Sequence, residues 1–264
     1  MLMLARSILA VPLLCLVTIP AAAQTCGTLR VASGQFHLSM ADGRELASRE
    51  LVGAIFDVDD GRGGTIAVRI DAVEPSSERP DLLLHSFSVQ DRSSGAWTPL
   101  CDADAHGRRA GFPVAGRWRG TQHYLRAKAG WFLTCTSGAQ GKCILWGYDP
   151  QRRGPHGEDL SPYYQACTHM VRADYDGSGA AHTRNGTTIE MWDDIGVQTR
   201  DTPPDPTLKF EAGWAPGGAV CVVRTRYADL LPLKALLRAN PRLGGVCDEA
   251  AARRRGALIF NNSR

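Results

Sequence analysis

The sequence predicts an α+β fold that is β-rich, with antiparallel sheets, a few short helices and disulfide bonds holding them. Short apolar and β-branched runs alternate with Gly, Asp and Ser clusters at intervals of about 10–15 residues, the signature of strands joined by tight turns. Helix-like segments are few and short. Eight cysteines are present in 264 residues, many for a chain with no metal-binding cysteine motif.

Residues 1–23 precede the fold. Arg6 stands just ahead of an apolar run from Ile8 to Ile19, Pro20 breaks that run, and Ala21-Ala22-Ala23 follows. A positive start, a short apolar core and a small-x-small end form a secretory signal. The run falls short of the ~20 residues that span a bilayer, so a cleaved leader is expected rather than an anchor. Thr25 precedes Cys26 and Leu14 precedes Cys15, and neither is the small residue that lipid attachment requires. The expected product is a soluble secreted or periplasmic chain, cleaved near Ala23, with no membrane span.

Residues 24–118 read as a β-rich N-terminal lobe. Strands are expected at Thr28–Ala32, Phe36–Met40, Val52–Val58, Thr65–Ile70 and Leu82–Val89. Trp97–Cys101 adds a short piece, and Pro99 within it marks a sheet edge. Asp42-Gly43, Asp60-Gly61-Arg62-Gly63-Gly64 and Ser93-Ser94-Gly95 supply the turns. Residues 119–264 read as a cysteine-containing lobe of mixed structure. Trp131–Cys135 and Ile144–Gly147 are expected strands flanking a loop. Ser161-Pro162 opens a helix through Arg172, with Ser as the cap and Pro in the first turn. Strands are expected at Ile189–Trp192, Leu208–Phe210 and Ala219–Thr225, and a helix at Asp229–Arg238. Thr202-Pro-Pro-Asp-Pro206 is a stiff connection, and Arg253-Arg254-Arg255 a solvated helix face.

The net charge of +3 is too small to point to a nucleic-acid partner. Lys occurs at 128, 142, 209 and 234 alone, and the other cations are Arg; Arg can grip carboxylates and phosphates with two hydrogen bonds, but a base bias in the coding sequence would give the same excess and is the preferred reading. Of the six tryptophans at 97, 118, 131, 146, 192 and 214, most sit in apolar strand-like stretches and read as core.

Cys15 leaves with the leader, so Cys26, Cys101, Cys135, Cys143, Cys167, Cys221 and Cys247 remain. In an oxidising compartment they pair. Cys135 and Cys143 enclose Thr-Ser-Gly-Ala-Gln-Gly-Lys, a turn-forming segment, and are expected to bridge across it. Sequence leaves the other pairings open. Seven is odd, so one thiol stays free or joins another chain. No C-x-x-C occurs and the histidines show no ligand spacing with the cysteines, which argues against zinc.

The block Cys167-Thr-His-Met-Val-Arg-Ala-Asp-Tyr-Asp-Gly-Ser-Gly, followed by His182-Thr-Arg-Asn-Gly-Thr, resembles the ADYC-domain family of exported bacterial proteins. Asp42-Gly-Arg, Leu51-Val-Gly-Ala, Arg69-Ile-Asp71, Trp97-x-x-Leu-Cys101 and Cys135-Thr-Ser-Gly fit too. So do Gly141-Lys-Cys143 with Trp146-Gly-Tyr148, Phe210-Glu-Ala-Gly-Trp214 and Cys221. The resemblance implies export and a disulfide framework rather than a reaction. It also exposes a departure: where the family has Ala-Asp-Tyr-Cys, this chain has Asp176 after Ala173-Asp174-Tyr175. One bridge lost there would leave one partner cysteine orphaned.

Two sets of residues are candidates for chemistry. Asp174, Asp176 and Ser178 alternate before Gly179, the opening pattern of a calcium loop; Asn185 stands where the loop's bidentate Glu belongs, and the alternative is a polar turn held by Asx hydrogen bonds. His169, His182, Asp174, Glu190 and Asp194, with Asp193, supply the acids and bases of a hydrolase if they converge. No Gly-x-Ser-x-Gly, His-Glu-x-x-His or phosphate-cradling glycine loop occurs, so no cofactor is expected beyond that calcium. The preferred function is a non-catalytic binding or envelope-associated module with an envelope-protein or glycan partner. The alternative is a cofactor-free hydrolase using residues 167–194.

Overall fold

The structure is a computed structural model that describes residues 27–59, 63–120, 123–127 and 130–264. The leader and Cys26 lie outside the described residues. Strands β1 (Gly27–Ala32), β2 (Gln35–Met40) and β3 (Glu45–Ala47) form an antiparallel sheet in the order β1-β2-β3. Ser33 and Gly34 join the first two, and both have positive φ, 51° and 70°. That backbone matches the strand twist in a two-residue hairpin. A Cβ on Gly34 would come within 2.4 Å of Leu82 Cδ1, so the same glycine lets the hairpin lie against the next sheet.

The second sheet comprises β4 (Ile55–Asp59), β5 (Thr65–Pro75), β6 (Leu83–Gln90), β7 (Trp97–Pro99), β8 (Gly111–Ala115) and, beyond the short pair β9 (Arg117–Arg119) and β10 (His123–Leu125), β11 (Trp131–Cys135). Its order is β11-β8-β6-β5-β4, with β7 on β6. As expected from Pro99, β7 is a short edge piece pairing with β6. β8 meets β6 only at His85↔Gly111, and Pro113 lies past that junction, where no ladder bond to β6 needs its missing N–H. β11 therefore completes a sheet whose other strands come from before residue 118.

Helix α1 (Ala139–Leu145) replaces the strand expected at Ile144–Gly147. The apolar run Cys143-Ile-Leu-Trp146 is too short to distinguish the two periods. The helix prevails because Cys143 and Ile144 are fully buried and Cys143 is bonded to the helix that follows. That helix, α2 (Ser161–Arg172), has the expected limits. Its cap differs: Ser161 makes no capping bond, and its N–H instead donates to Asp159 Oδ1 at 3.0 Å. Pro162 in the first turn lacks the N–H that would be unpaired there.

The last sheet contains β12 (Ile189–Asp193), β13 (Lys209–Ala215) and β14 (Gly218–Val222), then, after helices α3 (Leu233–Ala239) and α4 (Glu249–Arg254), β15 (Ile259–Ser263). The order is β12-β15-β13-β14, so the chain's last strand is inserted at its centre. The arginine run ends α4 on its exposed side. The largest core joins the halves of the chain: Leu84, Phe112 and Val114 pack in one cluster with Tyr164, Met170 and Trp214.

Three disulfides cross-link these elements: Cys101–Cys135, Cys143–Cys167 and Cys221–Cys247. The expected Cys135–Cys143 bridge is not made. Cys135 closes β11 and meets Cys101, with Cα atoms 5.5 Å apart. Cys143 sits on α1, facing Cys167 of α2 across 5.8 Å. The intervening segment is a turn of helix, not a hairpin, and so points the two thiols to different neighbours. All six described cysteines are paired within the chain.

Candidate functional site

The block that stands out in the sequence, residues 167–194, surrounds the C-terminal end of α2. Ala173 ends the helix with φ 50°, the left-handed conformation that stops a helix but is unusual for a residue other than glycine. Asp174 and Tyr175 follow, both fully buried.

Behind this turn lies a saturated polar network. Arg226 grips Glu211 with two bonds, from Nε and Nη2, both 3.1 Å. Its remaining hydrogens go to Met170 O at 2.8 Å, Val171 O at 3.1 Å and Thr183 Oγ1 at 3.2 Å. All five guanidinium donors are thereby used, two of them on carbonyls at the negative end of the α2 dipole. Glu211 also accepts from the Tyr175 hydroxyl at 2.9 Å and from Asn261 Nδ2 at 2.9 Å. Asn261 in turn accepts the Trp214 indole N–H at 2.7 Å. Burial and the neighbouring Glu211 carboxylate raise the Tyr175 hydroxyl pKa far above its ordinary range.

The acid–base candidates do not meet at one point. His169 Nδ1 and Asp174 Oδ2 are 2.8 Å apart, at hydrogen-bond distance. Both residues are buried, His169 at 1% exposure, and His169 Nε2 and Asp174 Oδ1 have no partner. His182 Nδ1 lies 3.2 Å from Ala173 O. Glu190 is buried in β12 and accepts from Asp201 N at 3.0 Å and from Asn262 Nδ2. Asp194 is held on the surface by Arg253 of α4, at 2.7 and 2.8 Å. Asp193 accepts four successive backbone N–H groups, from Ile195 to Gln198, and the Tyr148 hydroxyl, which makes it the organiser of its own turn.

The calcium candidates likewise serve local structure. Asp174 faces inward and also accepts Gly179 N at 2.9 Å. Asp176 Oδ1 accepts Ser178 N at 3.1 Å, and Ser178 Oγ accepts Ala180 N at 3.4 Å. Burial opposes ionisation of Asp176, but the Ser178 hydrogen bonds outweigh it and lower its pKa. All three candidates thus take part in hydrogen bonds within the turn. Among the described residues no group of three or more His, Cys, Asp and Glu is placed to hold a metal.

What the sequence did not single out is the cleft beside this turn. It encloses about 550 Å³ between the start of α1, the end of α2 and residues 181–189. Lys142, Arg172, Arg184 and the buried Arg226 line it, with Trp146 and a row of Ser, Thr and Asn side chains, and no Asp or Glu lines it among the described residues. The cations differ in how fully they are engaged. Arg226 has no donor to spare. Arg184 pairs with Asp229 and lies over the Tyr227 ring, 4.3 Å from its centroid. Arg172 donates through Nη2 to Gly179 O, while its buried Nε has no partner. Lys142, Ser137, Asn185 and Thr188 form no side-chain hydrogen bond or ion pair among the described residues.

A family model, the ADYC domain, matches residues 48–228. The chain belongs to the ADYC-domain family. Comparison with curated proteins and with solved structures gives no match. The match runs from the turn before β4 to just past Arg226, so the cleft and the Tyr175–Glu211–Arg226 network fall inside the ADYC domain, while α4, β15 and Cys247 lie beyond it. The Ala-Asp-Tyr residues of the domain are, in this chain, the helix stop, the partner of His169 and the hydroxyl that completes the Glu211 shell. Among the described residues no helix is long and apolar enough to cross a membrane, and three disulfides accord with an oxidising compartment.

Proposed function

We propose that this ADYC-domain protein is exported and acts as a non-catalytic binding module of the cell envelope or its surroundings, using the cationic cleft. The observation that carries this reading is the division of labour around α2. The groups suited to acid–base chemistry are occupied in structural bonds or buried away from the cleft, whereas the cleft presents unsatisfied donors and cations. Clefts of this volume hold ligands through a few placed polar groups. The leader sequence and the disulfides support export.

The test is retention of solubilised envelope material on immobilised processed protein. Wild type retains ligand, and a Lys142→Gln/Arg184→Gln variant with an unchanged melting temperature does not. Equal retention by both removes the cleft from the function.

One observation favours a hydrolase instead. His169 is oriented by Asp174 and keeps Nε2 without a partner, as a general base requires. That reading needs an opening to reach it. Turnover of ester or amide probes that disappears in His169→Gln would establish it and overturn the binding reading.

A further inference from the structure

We propose that the cleft's ligand is a glycan carrying carboxylate groups; this rests on the binding-module reading above. The cations determine the charge. Lys142, Arg172 and Arg184 line it and no carboxylate does among the described residues; Asp229 offsets Arg184, so Lys142 and Arg172 carry the attraction for an anion. Arg172 donates through Nη2 to Gly179 O and contributes its permanent charge to the cleft. Lys142 supplies a point charge with no competing partner among the described residues.

The neutral residues determine the rest of the ligand. Ser137, Asn185 and Thr188 line the cleft with free side chains, each able to donate and accept. Thr183 Oγ1 accepts from Arg226, which leaves its own hydrogen for a ligand. A ligand dense in hydroxyl groups satisfies such a lining. A peptide backbone offers one donor and one acceptor per residue, fewer than the several hydroxyl groups of each sugar ring. Trp146 lines the same cleft and is packed in part against the core, which adds apolar surface beside the polar groups.

The experiment is calorimetric titration of the processed full chain with a galacturonate tetramer, a galactose tetramer, tetraglutamate and inorganic phosphate. The carboxylated tetramer is expected to bind at least about tenfold more tightly than the neutral one, and more tightly still at low salt. Lys142→Gln and Asn185→Ala are each expected to weaken it about tenfold, the loss of one hydrogen bond or charge contact, with unchanged melting temperature. Equal affinity for both sugars overturns the proposal, because charge then plays no part. Stronger binding of tetraglutamate makes the ligand an acidic peptide. Phosphate competing at equal affinity makes the site a small-anion site. If no probe binds while wild type still retains envelope material, the glycan assignment fails and the binding-module reading stands; if wild type retains nothing, both fail.

Discussion

Arg226 and Glu211 show how much a single pair can hold. Each is almost fully buried, at 7% and 0% exposure, and each has its full complement of hydrogen bonds. Removing one member leaves the other charged and unpaired in the core, which costs about 3–5 kcal/mol. Arg226→Met is therefore expected to lower the urea midpoint sharply. Adding Glu211→Gln to that variant should recover part of the loss, because the orphaned charge is gone. A double-mutant cycle reads the coupling directly, and additive losses would refute it. His85 acts on stability in a different way. It is buried between Phe36 and Phe87, with Nε2 2.8 Å from Ser48 Oγ, and burial lowers its pKa from 6.5 to about 4. The folded state thus binds fewer protons than the unfolded chain between those values. The neutral form's contribution is complete above the unfolded value and is lost as pH falls through the folded one. The loss amounts to about 3 kcal/mol over that window. Urea midpoints measured from about pH 7 to pH 4 should fall more steeply for wild type than for His85→Gln. Parallel profiles would show that His85 titrates normally.

The elements were legible in proportion to how locally their signals lie. α2 has its expected limits because Ser161-Pro162 marks its start locally, and β7 is the edge piece that Pro99 predicts. α1 was misread as a strand because its helical state is fixed by Cys167, a contact outside any window. β8 and β15 were missed for a related reason. Gly111 and Pro113 carry low strand propensity, and Asn261-Asn262-Ser263 is wholly polar; yet Asn261 is fully buried, since its amide bridges Glu211 and Trp214. The misplaced Cys135–Cys143 bridge followed from the misread helix. Its replacement, Cys143–Cys167, closes a sequence separation of 24 residues and ties α1 to α2 beside the cleft. Chain-entropy considerations give such a bridge about 3 kcal/mol. Cys143→Ala/Cys167→Ala should lose about that much by urea unfolding and should loosen the cleft wall that carries Lys142. With six cysteines bridged, thiol blocking of the denatured, unreduced, processed protein should modify one cysteine, Cys26. Three or more modified thiols would refute this connectivity.

At the scale of the molecule, the candidate site was half legible. The sequence pointed to residues 167–194 and to the unusual Asp176, and the cleft opens there. The roles were not legible, because they depend on which side chains remain free once folding has used the others. Arg226 and Glu211 look like ordinary surface charges in sequence and prove to be buried and satisfied, while Lys142, an unremarkable lysine, is left unpartnered among the described residues. The same dependence on distant partners bears on whether residues 24–118 stand alone. Their strands would lose β11 from the edge of the second sheet, and Cys101 would lose Cys135. Leu84, Phe112 and Val114 would lose the cluster they share with Tyr164, Met170 and Trp214. Exposing that shared surface costs roughly 1.5–3 kcal/mol for each large apolar side chain uncovered, against a total stability of about 5–15 kcal/mol for a typical domain. A 24–118 fragment is accordingly expected to show no cooperative urea transition by circular dichroism, whereas the processed chain unfolds in a single transition seen alike by far-UV and tryptophan signals. A fragment that unfolds cooperatively at the midpoint of the whole chain would show instead that the first lobe is an independent domain, and that the shared core is a docked interface rather than the centre of one folding unit.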